Sequence, residues 1–284
     1  MKISVSSYSF KQKIRSGEMT ELDCVRKAKE MGFDGIEFID VDADGLDGQI
    51  EMARKIKEEA DRVGIEIVAY TIGANLFSEK DEECEKEVER LKGQLLVAKA
   101  LGAPLMRHDV CYKLTSKGRG RCFEMMLPTI AENCRKVTEY AQTLGIKTCT
   151  ENHGFIAQDS DRVIKLATAV NHDNYGLLVD IGNFLCADED PAIAVSKVAP
   201  LAIHVHAKDM KVSRERRSPR EIETRCCNYL LCCSIGEGDV PVKRCINILK
   251  KAGYDGYVTV EYEGQEDCIE GIRRGFENLK SFIG

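Results

Sequence analysis

The stretch Leu144-Gly145-Ile146-Lys147-Thr148-Cys149-Thr150-Glu151-Asn152-His153 holds the unit from which the fold is read. An amphipathic segment, about 128–144, stops at a glycine. A short β-rich run follows and ends in chemically active side chains. Glycine is expected just past a helix, because the residue there often adopts positive φ, which costs glycine nothing sterically. The same order recurs on both sides. Thr20-Glu21-Leu22-Asp23 resembles a capping box with Asp in its last place, and it opens a helix ending at Met31-Gly32. Helices over about 47–63 and 81–101 stop at Gly64 and Gly102. Ala53, Ile56, Ala60 and Val63 share one face of the former; Val88, Leu91, Leu95 and Ala98 keep helical spacing in the latter.

The intervening runs predict strands at Ile3–Ser7, 35–39, 65–70, 105–107, 146–150, Tyr175–Val179, Ala202–His206 and Tyr257–Glu261, with a last helix over about 266–282. Eight alternating βα units predict an α/β chain folded as a single closed (β/α)8 TIM barrel over residues 1–284. A doubly wound open sheet would want a glycine-rich phosphate loop after an early strand, and the sequence has none. Met31-Gly-Phe-Asp-Gly-Ile-Glu37 and Ala252-Gly-Tyr-Asp-Gly-Tyr257 resemble each other as a decayed repeat would. No linker or low-complexity segment divides the chain, although 210–233 is a long excursion for a barrel loop.

Composition narrows the class. Hydrophobic residues at 43% and charged residues at 31% describe a globular protein and exclude extended disorder. No apolar run approaches the ~18–20 residues of a membrane span. The first residues run straight into strand-like sequence, so no signal peptide is expected. A net charge of −6 argues against nucleic-acid binding. The odd count of 13 Cys, in a large chain without an export signal, reads as reduced thiols in a cytoplasmic protein. Cys226-Cys227 and Cys232-Cys233 invite a metal cluster, but no CxxC spacing accompanies them, and incidental thiols are the preferred reading.

In a (β/α)8 barrel, chemistry sits at the C-terminal ends of the strands. Four consecutive strands place Glu151, Asp180, His206 and Glu261 there. A carboxylate closing an apolar strand is costly to desolvate unless something compensates it, and a divalent cation does so. Three carboxylates and one imidazole suit Mn²⁺ or Mg²⁺ better than a thiophilic metal. His204 lies two residues before His206, on the same face and one layer deeper. His172 precedes its strand and is read as surface. His108 and His153 follow strands, so each is read either as a substrate contact or as a loop-structuring residue.

The runs Glu151-Asn-His-Gly, Val179-Asp180-Ile-Gly-Asn183, His204-Val-His206-Ala-Lys208-Asp209, Ile235-Gly-Glu-Gly-Asp-Val240 and Gly253-Tyr-Asp-Gly-Tyr-Val-Thr-Val-Glu261-Tyr-Glu-Gly resemble the xylose-isomerase-like barrel superfamily of sugar phosphate isomerases and epimerases. The resemblance spans the chain and is strongest in its second half. It implies Glu151, Asp180, His206 and Glu261 as metal ligands, with Mn²⁺ first and Mg²⁺, Co²⁺ or Zn²⁺ as alternatives. It implies Glu151 and Glu261 as the acid/base pair of an isomerase or epimerase working through an enediolate. The substrate would be a sugar, sugar phosphate or sugar acid. By their position on the active face, His108, His153, Asn183 and Lys208 are the candidate substrate contacts. The alternatives are a lyase or dehydratase on a keto-sugar or keto-inositol, including C-glycoside cleavage, and a non-catalytic sugar-binding barrel. Asn183 stands where the ketose 3-epimerase branch carries a His, which argues against a plain free-ketose 3-epimerase.

Two loops are basic against this acidic background. Lys113, Lys117, Arg119 and Arg121 follow the fourth strand, and 208–225 carries seven Lys/Arg against four Asp/Glu. These loops read equally as recruiters of an anionic substrate, as solvated surface, or as an oligomer contact. A homo-oligomer, dimer or tetramer, is expected from the resemblance, with 210–233 as the candidate contact.

Overall fold

The computed structural model describes all residues, 1–284. Eight parallel strands close into a barrel: β1 (Lys2–Ser6), β2 (Gly35–Ile39), β3 (Glu66–Ile72), β4 (Leu105–His108), β5 (Lys147–Glu151), β6 (Tyr175–Asp180), β7 (Ala202–Ala207) and β11 (Tyr257–Val260). Around them run α1 (Lys11–Arg15), α2 (Glu21–Glu30), α3 (Gly45–Val63), α4 (Asp81–Leu101), α5 (Phe123–Thr143), α6 (Ser160–Val170), α7 (Pro191–Val198), α8 (Val242–Lys251) and α9 (Cys268–Ile283). The Thr20–Asp23 capping box forms at the start of α2. Gly64 and Gly102 close α3 and α4 in the left-handed region, at φ 71° and 69°. One apolar cluster, containing Val5, Phe38, Leu95, Ile130, Val205 and Leu279, joins the strands to the helices.

The decayed repeat has a mechanical meaning. β1 pairs with β2 on one side and β11 on the other. Asp34 accepts the Ile3 N–H at 2.8 Å, and Asp255 accepts from the Met1 nitrogen at 2.6 Å. The repeated Asp thus brackets β1 from both neighbouring strands.

Two expectations need correction. The fourth long helix starts at Phe123 instead of about 128, because Phe123 and Met126 are buried and draw the first turn into the core. Pro128 therefore lies inside α5, where its missing N–H leaves the Glu124 carbonyl without its helical partner. The excursion is also more ordered than a loop. It forms an antiparallel sheet of β8 (Asp209–Ser213), β9 (Ile222–Glu223) and β10 (Tyr229–Cys233), with Ser213 opposite Tyr229 and Asp209 opposite Cys233. The Asp209 carboxylate staples its base, accepting N–H groups from Met210, Gly236, Gly238 and Val240 at 2.8–3.1 Å. A Cβ on Gly238 would sit 2.2 Å from Asp209 Oδ1, so the Ile235–Val240 motif is a backbone cradle for one carboxylate.

Candidate metal centre

Glu151 ends β5, Asp180 ends β6, His206 lies on β7 and Glu261 follows β11. Parallel register holds these positions level: Asp180 pairs with His206, and His206 with Thr259. One ligand atom from each of the four lies within 4.8 Å of the others. Asn152 fixes the end of β6, accepting the Asp180 N–H at 2.8 Å and donating to its carbonyl at 2.9 Å. Asp180 Oδ1 accepts the N–H groups of Gly182 and Asn183 at 2.8 and 2.9 Å, which turns the chain out of the strand.

Two buried atoms in this group make no hydrogen bond: Asp180 Oδ2 and His206 Nδ1. The His206 Nδ1 is 3.9 Å from Glu151 Oε1 and 3.8 Å from Glu261 Oε1. An orphaned carboxylate oxygen and an orphaned imidazole nitrogen are each costly in a dry interior. One divalent cation among the four residues satisfies both, so the donor set fits a metal. Burial pushes the Asp180 pKa up to about 7, against the pull of Lys208. Burial would lower the His206 pKa, but Glu37, Glu261 and Glu151 together carry it up to about 10 with no cation among them, and a bound cation would take the place of that proton on Nδ1.

The two glutamates are held differently. Arg107 ion-pairs with Glu151 and also reaches Asp109 at 3.3 Å and the Ile72 carbonyl at 3.2 Å. Asn183 donates to the other Glu151 oxygen at 2.9 Å. Burial would raise the Glu151 pKa, but Arg107, with His206, His153 and Lys208 behind it, holds it below the ordinary carboxylate value. Glu261 is held by Lys208, whose Nζ lies 2.5 Å from Glu261 Oε2, 2.6 Å from Glu263 Oε1 and 3.6 Å from Asp180 Oδ2. Glu151 is 2% exposed, Glu261 11% and Glu263 26%.

The expected substrate contacts separate. His153 stands at the mouth, 44% exposed, with Nδ1 3.0 Å from Asp109 Oδ1. Asn183 and Lys208 are buried and already engaged by the site's own carboxylates. His108 is a correction. Side chains alternate across a strand. Arg107 turns toward Glu151, whereas His108 is fully buried, donates Nδ1–H to the Asp109 carbonyl at 2.9 Å and lies beside the Tyr175 ring. These are the contacts of a loop-structuring residue on the outer face of the strand. His204 lies one layer below His206, as expected, within 2.9 Å of Glu37 and 3.0 Å of Thr259.

Glu37 and Arg107 escaped the sequence reading. Glu37 interrupts an otherwise apolar strand and Arg107 follows the apolar pair Leu105-Met106, and those charged positions were the available signal. Among the basic loop residues, Arg119 binds Glu79 and Thr129, and Arg225 ties Asp159 and the Phe155 carbonyl, so both fasten loops. All thirteen cysteines are unpaired, and no metal-ligand grouping includes one. Beyond β1 and β2 opens a cavity of about 740 Å³, lined in part by Tyr8, Lys11, Glu21, Asp40 and Met52. Tyr8 donates from its hydroxyl to Glu263 at 3.4 Å, linking this cavity to the site. No helix is long and apolar enough to cross a membrane.

The inosose dehydratase of Clostridium perfringens is 24% identical over 258 residues, covering 87% of this chain and 83% of that protein. Among solved structures, the IOLI protein with a zinc atom superposes with a TM-score of 0.78 at 15% identity, covering 100% of this chain and 98% of that one. An L-ribulose 3-epimerase superposes at 0.77 and 16% identity, covering 99% of this chain and 94% of that one. The family described as xylose isomerase-like TIM barrel matches residues 25–282. With the closed barrel and the strand-end cluster both in place, the chain belongs to the xylose isomerase-like TIM barrel family.

Proposed function

We propose that the protein is a divalent-metal-dependent lyase that eliminates water from a polyhydroxylated ketone of the keto-sugar or keto-inositol class. The unequal holding of Glu151 and Glu261 carries this reading. Epimerisation uses two proton-transferring groups on opposite faces of the substrate, whereas elimination can be served by one. A guanidinium does not give up its proton, so Arg107 fixes Glu151 as a permanent anion. Lys208 is an ammonium divided between Glu261 and the more exposed Glu263, so Glu261 is held less exclusively and lies nearer the rim, where a substrate carbon can reach it.

In this reading Glu261 takes the proton from the carbon next to the ketone. As the bond between the neighbouring carbon and its hydroxyl breaks, Glu261 gives that proton to the departing oxygen, and water leaves. Glu151, Asp180 and His206 would hold the cation together with Glu261. When bound, it polarises the ketone and spreads the charge that develops there. The hard donor set favours Mn²⁺ or Mg²⁺. Likeness to an inosose dehydratase over most of the chain supports the same reaction class.

Isomerisation or epimerisation, which the sequence placed first, is the second reading. It is favoured by the presence of both glutamates at one centre and by likeness in fold to an epimerase. Proton NMR of metal-loaded protein with a panel of inososes and keto-sugars in D₂O separates the two. The expected result is loss of the proton signal at one hydroxyl-bearing carbon and appearance of a dehydrated product that keeps every carbon. An epimer labelled at the α-carbon, without dehydrated product, overturns elimination in favour of the second reading. No exchange on any member would remove both.

A further inference from the structure

Inside the barrel a carboxylate lies between two histidines. Glu37 is completely buried in the middle of β2. Its Oε2 lies 2.9 Å from His204 Nε2 and 2.9 Å from His206 Nε2, while its Oε1 has no partner. Thr259 continues the chain, 3.0 Å from His204 and 2.7 Å from Ser4. As packing alone this is an expensive arrangement, because a buried carboxylate with an orphaned oxygen costs more than an apolar side chain of that shape.

We propose that Glu37 is the positioning residue of the metal centre, holding His206 in the one tautomer and orientation that can ligate a cation between Glu151, Asp180 and Glu261. The argument follows from donors and acceptors. An ionised carboxylate only accepts, so each imidazole must present Nε2–H to Glu37. A neutral His206 with its proton on Nε2 carries its lone pair on Nδ1. That is the atom left without a partner, 3.8–3.9 Å from two of the carboxylates. A carboxylate bonded to the far nitrogen of a ligating histidine fixes the ring and raises its basicity as a ligand. His204 locks Glu37 from the other side, so Glu37 cannot rotate away from His206 without losing a second buried bond.

Glu37, His204 and His206 also form a compact group of possible ligands by themselves. There, however, both Nε2 atoms are already spent on hydrogen bonds to Glu37, whereas in the upper group Nδ1 is free. The inference rests on the metal reading of the proposed function, and its test keeps the two apart.

Titration of metal-free protein with Mn²⁺ gives affinity without any substrate. Glu37→Gln is expected to weaken binding about 10–100-fold. Unchanged affinity overturns the positioning role while leaving the metal reading intact. Wild-type protein that binds no divalent ion overturns the metal reading itself. Thr259→Val removes the other contact of His204 and is expected to keep Mn²⁺ affinity. An equal loss in that variant would reduce the effect to packing and overturn the inference. A second measurement uses only the wild-type chain. With nitrogen-labelled histidine and a spin-active cadmium isotope, one imidazole should couple to the metal through Nδ1 while keeping its Nε2 proton. Coupling through Nε2, in one imidazole or two, overturns the assignment.

Discussion

The two sides of the barrel mouth answer the same problem differently. On the β4–β6 side, Glu151 is sealed: Arg107 beneath, Asn183 alongside, and 2% exposure. On the β7–β11 side, Glu261 shares an ammonium with a partly exposed carboxylate, and beyond it Tyr8 leads to a large cavity. Both sides neutralise buried charge. The first does so with a guanidinium held against one sealed ligand carboxylate, the second with an ammonium divided between Glu261 and the more exposed Glu263. The contrast shows how two glutamates related by barrel position can take unequal chemical roles.

The largest expected effect is on turnover. At saturating metal, Glu261→Gln should lower the rate of α-proton exchange by about 10²–10⁴-fold, more than Glu151→Gln does, as followed by NMR in D₂O. Equal losses would erase the inequality. Next comes stability. Arg107→Met strands Glu151 and Asp109 without their cation, which should cost about 3–5 kcal/mol in denaturant unfolding of the metal-free protein. Lys208→Met should cost less, because Glu263 is partly open to water; the reverse order would break the comparison. Gly238→Ala disturbs the Asp209 staple on the open side, for about 1–3 kcal/mol. Hydrogen exchange should rise in 209–233 and not in 147–183.

The smallest effect lies at the cavity. Burial raises the Glu21 pKa to about 7, above the roughly 4.3 of an unfolded chain. The folded state therefore binds the proton more tightly. Its stabilising contribution is complete below the unfolded pKa and is lost as pH rises through the folded one. Glu21→Gln lacks this dependence. Its stability relative to wild type should climb by on the order of 1 kcal/mol between about pH 4.5 and 7, after screening at a partly exposed site. A flat difference in thermal midpoint across that range would remove the effect.

The upper ligands were legible because each closes an apolar run at a strand end, where position and chemistry coincide. Glu37 was not, since its partners lie 167 and 169 residues away and only barrel closure joins them. His108 stayed between two readings because strand-end position was weighed without strand parity. Arg107 takes the inward side, so its neighbour must face the helices. The excursion looked like a loop because its strands are short and mixed in polarity. What orders it is Asp209 gathering N–H groups from beyond β10, a contact no local window contains.

The seam between β1 and β11, bracketed by Asp34 and Asp255, has a consequence for the order of assembly. The ligand on β7 is oriented from β2, and another ligand follows β11, so the centre does not exist until the cylinder shuts. A cation that binds only the shut form pulls the equilibrium toward it, in proportion to the logarithm of its concentration over its dissociation constant. In the proposed metal-dependent reading, metal supply would act as a latch on the finished fold as well as a reagent in its chemistry.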